Sequence, residues 1–130
     1  MKKIYKQLLI LLLILNVLVG GVALIVKRQS RPDTLDAFAS CLKDKGVIFY
    51  GAFWCPHCQS QKALFGRSSR LLPYVECSNP DGQSQNALCT EKGIQSYPTW
   101  EFADGTREIG EIPLARLAEK SSCTLPAETE

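Results

Sequence analysis

The first thirty residues contain no acidic side chain and the first forty no cysteine, in a chain of 130. No segment repeats and none is of low complexity, which excludes a repeat architecture. The remainder also lacks a basic excess. Lys2, Lys3, Lys6, Lys27 and Arg28 place five of the 15 basic residues ahead of position 31, leaving ten against 13 acidic ones and a balance of −3. A domain of that charge has no electrostatic footprint for a phosphate backbone, so nucleic-acid binding is excluded. About 100 residues remain to fold, too few for a second core, and residues 31–130 read as one small domain.

What is present first is an apolar run. From Leu8 to Val26 the sequence is LLILLLILNVLVGGVALIV, uncharged throughout and polar only at Asn16. As a helix it would span roughly 28 Å, near the hydrocarbon thickness of a bilayer. A cleaved signal peptide is the rival reading, but its apolar stretch is usually shorter, and Gly21-Val22-Ala23 is a poor cleavage site. Residues 1–30 are therefore expected to be an uncleaved, single-pass membrane anchor and linker. Basic residues flank both ends, so charge alone does not orient the span. The cysteines do: all six follow residue 40, and stable disulfides need a non-cytosolic compartment. The folded domain is expected on the extracytoplasmic side of the cytoplasmic membrane.

Asp33, with Asp36 three positions on, resembles a helix-capping pair, and Leu35, Phe38 and Leu42 follow at helical spacing up to Gly46. Val47-Ile48-Phe49-Tyr50 is a continuous apolar run, expected as a central strand buried on both faces. A helix to Phe65, a strand over 72–77 and a turn over Ser78–Gly82 come next. A short helix over Gln83–Lys92, a strand at Thr99–Phe102, a hairpin through Asp104-Gly105 and a last helix from Pro113 to Leu117 complete the order. Alternating helices and strands closed by a hairpin predict an α/β fold, a mixed sheet with helices on both faces.

Cys55-Pro56-His57-Cys58 stands where the buried strand meets a helix start. The first turn of a helix offers unpaired N–H groups and the positive end of the dipole, which favour a thiolate. Cys55 is expected as the cap or first helical residue, exposed and reactive, with Cys58 one turn in and more buried. Pro56 restricts the link between them, and His57 adds a donor and partial positive charge. A stabilised dithiol makes the oxidised pair a strong oxidant. A structural disulfide fits this junction poorly. A zinc site built from Cys55, Cys58, Cys77 and Cys89 has one proper ligand pair and one with eleven intervening residues, a poor match to zinc spacing.

Trp54-Cys55-Pro56-His57-Cys58 after an apolar strand, with Tyr97-Pro98-Thr99 about forty residues on, resembles the thioredoxin superfamily. Tyr50-Gly51-Ala52-Phe53-Trp54, Lys62, Leu64-Phe65-Gly66, Pro73-Tyr74-Val75-Glu76-Cys77-Ser78, Ala87-Leu88-Cys89, Gly93-Ile94 and Ser96-Tyr97-Pro98-Thr99-Trp100 narrow it. Together they look like the thioredoxin-like domain fused to bacterial and plant homologues of vitamin K epoxide reductase, with a Cys-Pro-His-Cys site like that of DsbA. The resemblance implies a thioredoxin-like fold with a four-stranded mixed sheet. It also implies a cis bond before Pro98 facing the cysteines, and substrate peptide held by Tyr97, Pro98 and Trp54. The activity implied is dithiol oxidation: disulfides passed to exported protein thiols, then re-oxidation by a quinone-reducing membrane partner of the vitamin K epoxide reductase or DsbB type. No cofactor and no metal are implied.

The sequence departs from that family in showing one apolar run and not the quinone-reducing helices, so any such partner is expected to be a separate protein. It departs from ordinary thioredoxins at Phe49, where many carry a buried aspartate that accepts a proton from the second cysteine. Reductase or isomerase behaviour is the alternative within the enzyme class, and a thiol-based metal-binding or delivery protein is the alternative outside it. By the same resemblance Cys77 and Cys89 form a second disulfide, stabilising by roughly 3 kcal/mol. Cys41 and Cys123 have no counterpart there. They can pair, tying the first helix to the tail, or Cys41 can be a buried free thiol. Phe53, Trp54 and Trp100 can form an apolar rim around the site, or Trp100 can belong to the core.

Overall fold

A computed structural model describes residues 2–29 and 35–127. The chain divides into two units, Met1–Pro32 and Asp33–Glu130. The first is helix α1, Lys2–Gln29. Its described apolar side chains, Ile4, Leu11 and Leu13 among them, are exposed. Among the described residues no helix is long and apolar enough to cross a membrane. The expected membrane-spanning helix over Leu8–Val26 is therefore not a feature of the described structure, and residues 9, 19 and 22–26 of that run lie outside its side-chain description.

In the second unit, α2 (Asp36–Asp44) buries Phe38, Ala39 and Leu42. It ends at Gly46, whose φ of +73° is the left-handed position that glycine takes without strain. Its start departs from the expected capping pair. Asp33 lies outside the described residues, and Leu35 stands at the N-cap with no side-chain cap bond. The Asp36 carboxylate instead accepts from Ser68 Oγ at 2.7 Å and from Arg70 at 2.7 Å. Both donors lie in a 3₁₀ helix, Gly66–Leu71, which begins at the glycine expected only to stop the preceding helix.

The sheet follows the expected mixed pattern. Strand β1 (Ile48–Gly51) pairs parallel with β2 (Tyr74–Glu76) and antiparallel with β3 (Thr99–Glu101), which pairs antiparallel with β4 (Arg107–Ile109). The order is β2-β1-β3-β4. Successive side chains of a strand point to opposite faces, and β1 uses both. Phe49 joins Phe38, Leu42, Phe65, Trp100 and Leu117 in one core cluster, and Tyr50 joins Cys77, Cys89 and Ile94 in the other. Phe49 lies opposite Trp100 in the ladder, their rings stacked 4.5 Å apart. Helices α2, α3 (Pro56–Leu64) and α5 (Leu114–Ser121) supply the first cluster, and α4 (Ala87–Glu91) the second.

Three boundaries move for local reasons. Helix α4 starts at Ala87 rather than Gln83, because Asn86 caps it by accepting from the Cys89 N–H while Gln85 bridges back to Ser78. Strand β2 begins only after Pro73, which has no N–H to give a ladder. Pro113 is the cap of α5 rather than its first residue, and the helix runs on to Ser121.

Two disulfides staple the layers. Cys41 pairs with Cys123, Cα atoms 5.9 Å apart, because α2 and the tail after α5 flank the same cluster. Cys77 pairs with Cys89, Cα atoms 5.5 Å apart, linking β2 to α4. Their loops differ, with sequence separations of 82 and 12. Loop-closure entropy then assigns about 4.5 kcal/mol to the first and about 3 kcal/mol to the second. Urea unfolding is expected to show the larger loss for the Cys41→Ala/Cys123→Ala double variant and the smaller for Cys77→Ala/Cys89→Ala. The reverse order would refute the assignment.

Candidate active site

The end of β1 and the start of α3 bring the sequence-predicted cysteines together. Cys55 is the N-cap of α3 with extended backbone, and Pro56 is the first helical residue, where its missing N–H costs nothing. Cys55 and Cys58 are the free cysteines. The expectation that Cys55 is exposed is corrected: it is 5% exposed, and Cys58 1%. Cys55 belongs to the first core cluster, and its Sγ donates to the Tyr97 carbonyl 3.8 Å away. The Tyr97–Pro98 bond is cis, and Pro98 is fully buried. The carbonyl of Tyr97, the residue before Pro98, is thus the group beside Cys55 Sγ.

The two sulfurs are not equivalent. Burial pushes the Cys58 thiol up to about 12, and the adjacent Cys55 sulfur adds to the rise. A backbone hydrogen bond from Ala52 and the charge of Lys62 oppose it. Cys58 therefore keeps its proton at neutral pH. Room for it comes from Gly51. A Cβ there would lie 2.9 Å from Cys58 Sγ and 2.8 Å from the Tyr74 ring, so only glycine allows the approach.

His57 Nδ1 lies 2.7 Å from Glu111 Oε1, both side chains exposed. Glu111 escaped the sequence reading, since 54 residues separate the two and no local pattern connects them. Its loop is fixed by Gln61, a fully buried amide that donates to the Ile112 carbonyl at 3.0 Å and accepts from the Ile112 N–H at 2.6 Å. Trp54 donates from Nε1 to Ser78 Oγ at 2.9 Å and meets the Tyr97 ring edge-on at 6.1 Å. A groove of about 430 Å³ opens between Trp54, Ser78, Gln83, Gln85, Ile94 and Tyr97. Phe53 and Trp54 are half exposed, whereas Trp100 is fully buried and belongs to the core rather than the rim. Glu76, quoted in the sequence only as part of a motif, accepts from the Phe53 N–H, the Ser78 N–H and the Tyr74 hydroxyl. Among the described residues no three of His, Cys, Asp and Glu converge to hold a metal ion.

Comparison with known proteins agrees with this geometry. The thioredoxin family matches residues 30–121, and the chain belongs to that family. Thiol-disulfide oxidoreductase LTO1 of Arabidopsis thaliana is 41% identical over 99 residues, 72% of this chain and 26% of that protein. Protein disulfide-isomerase 5-1 of the same plant is 26% identical over 112 residues, 82% of this chain and 77% of that protein. A solved thioredoxin of Malassezia sympodialis (Mala s 13) is 25% identical with a TM-score of 0.40, covering 58% of this chain and 73% of that one. The chain thus spans about a quarter of the length of LTO1.

Two outcomes follow from the site. Folded, Cys58 holds its proton to about 12, whereas an unfolded thiol releases it near 9.0, so unfolding the reduced protein releases a proton between those values. The contribution is whole below about pH 9 and is lost as pH climbs toward 12. Urea titrations across that range should show the reduced protein losing stability, with a shallower decline in Cys58→Ser. Gly51→Ala should destabilise the reduced protein by about 1–3 kcal/mol through overpacking, read from the same unfolding curves.

Proposed function

We propose that the domain is a protein thiol–disulfide oxidoreductase working as a dithiol oxidase for exported proteins. One observation carries the reading: two free cysteines at the start of α3, with Cys55 Sγ against the Tyr97 carbonyl of a cis Tyr97–Pro98 bond. In the oxidised state a substrate thiolate attacks Cys55 Sγ and Cys58 leaves as a thiolate. A second substrate thiolate then displaces Cys55, so the substrate loses two electrons and the pair gains them. Tyr97, Pro98 and Trp54 hold the substrate as an extended segment beside the groove. His57 and the helix start tune the potential.

Phe49, apolar where a buried carboxylate serves reductases, favours the oxidising direction, as does the Pro-His centre. The apolar run 8–26 supports an anchor, and the two structural disulfides support an extracytoplasmic domain. The likeness to domains fused to vitamin K epoxide reductase homologues supports a quinone-reducing membrane protein as the partner that takes the two electrons away.

The reduction potential of the 55–58 pair, measured by equilibration with glutathione, should fall near −120 mV; a value of about −270 mV would favour a reductase instead. Cys58→Ser should accumulate mixed disulfides through Cys55 with exported proteins and with the membrane partner. Absence of any trapped species would sink the oxidase reading.

A further inference from the structure

Phe49 is fully buried and stacked on Trp100, so β1 offers Cys58 no group to manage the charge that appears on its sulfur in each exchange. A different cluster surrounds that sulfur. Lys62 stands four residues after Cys58 on α3, one turn along the same face. Its Nζ lies over the Tyr74 ring, 3.3 Å from the centroid. The same ring and Cys58 Sγ both press on Gly51, where an added Cβ would lie 2.8 and 2.9 Å from them. Tyr74 is pinned by its hydroxyl, which donates to Glu76 at 2.7 Å, and Glu76 is pinned by the N–H groups of Phe53 and Ser78. The charged and titratable groups around Cys58 are thus Cys55 and Lys62 from α3, and Tyr74 and Glu76 from β2.

We propose that Lys62 is the charge partner of the Cys58 thiolate, with Tyr74 and Glu76 as positioning residues that hold it. This rests on the redox reading above. When Cys58 gives up its proton to attack a mixed disulfide at Cys55, a bond forms between Sγ of 55 and 58, and the substrate leaves as a thiolate that takes up a proton. In the reverse step Cys58 is the leaving thiolate. Both directions pass through an anion at Cys58, and the ammonium lowers its cost. The thioredoxin solution of a carboxylate on the central strand is replaced by a cation on the helix. Electrostatics agree, since Lys62 favours the charged form of Cys58 and Cys58 favours the charged form of Lys62, while burial pulls the lysine below its ordinary value.

The test starts from the full chain carrying glutathione on Cys55 and follows glutathione release by Cys58 from pH 6 to 10. Lys62→Met should release at least fivefold more slowly than wild type at pH 7, and Lys62→Arg should recover most of the rate. A loss smaller than fivefold, or an equal loss in Lys62→Arg, overturns the proposal. Lys62→Gln replaces Lys62→Met if circular dichroism shows that the latter is unfolded. If wild type itself releases no glutathione, the redox reading fails; if wild type and Lys62→Met release it equally, only the role of Lys62 does.

Discussion

The site depends on one close approach, that of Cys58 to the backbone of Gly51. It sets α3 directly against the end of the central strand, so the helix start, the sulfur pair and the late proline loop meet at one point. The main chain reinforces it. Cys55 N–H donates to the Ala52 carbonyl at 3.0 Å, and Cys77 N–H donates to the Gly51 carbonyl at 2.8 Å. Ala52 is fully buried, small enough to let the chain turn from sheet to helix without displacing either sulfur. A side chain at position 51 would move Cys58 or Tyr74.

Loop length, not burial, sets this pair apart from the disulfide cysteines: Cys77 and Cys89 are as deeply buried as Cys58. Cys41–Cys123 and Cys77–Cys89 each tie a helix to the layer it covers, and both join distant parts of the chain. The 55–58 pair joins neighbours one turn apart, so closing it removes little chain entropy. Its disulfide can therefore open and close without the fold paying much in stability. Six cysteines thus divide by loop length as well as by place: the long loops hold the domain together and the shortest is left for exchange.

What was legible in the sequence was what local chemistry dictates. The strand-to-helix junction at Cys55, the proline at position 98 and the alternating order of elements follow from periodicity, turn residues and the motif. What was not legible depends on contacts between distant residues. Glu111 reaches His57 only because Gln61 pins its loop, and Asp36 serves Ser68 and Arg70 rather than its own helix. Whether Cys41 and Cys123 pair depended on which side of the sheet α2 and α5 share, which a strand and helix order alone does not fix. Trp100 looks the same in sequence whether it lines a rim or fills a core, and its ladder position opposite Phe49 decides for the core.

For the proposed activity, a Cys55 sulfur only 5% exposed raises the question of how a protein substrate would reach it. The surroundings are uneven. On one side stand the exposed rings of Phe53 and Trp54 and the groove bounded by Gln83, Gln85 and Tyr97; on another stands the hydrogen-bonded His57–Glu111 pair. On the proposed reading, an extended peptide beside Tyr97 would bring its own sulfur toward Cys55. The loop at Gly82 stands against those two rings: a Cβ there would lie 3.4 Å from Phe53 and 3.6 Å from Trp54. For an oxidase of the kind proposed, so buried a sulfur would favour chain segments not yet committed to a fold over folded surfaces.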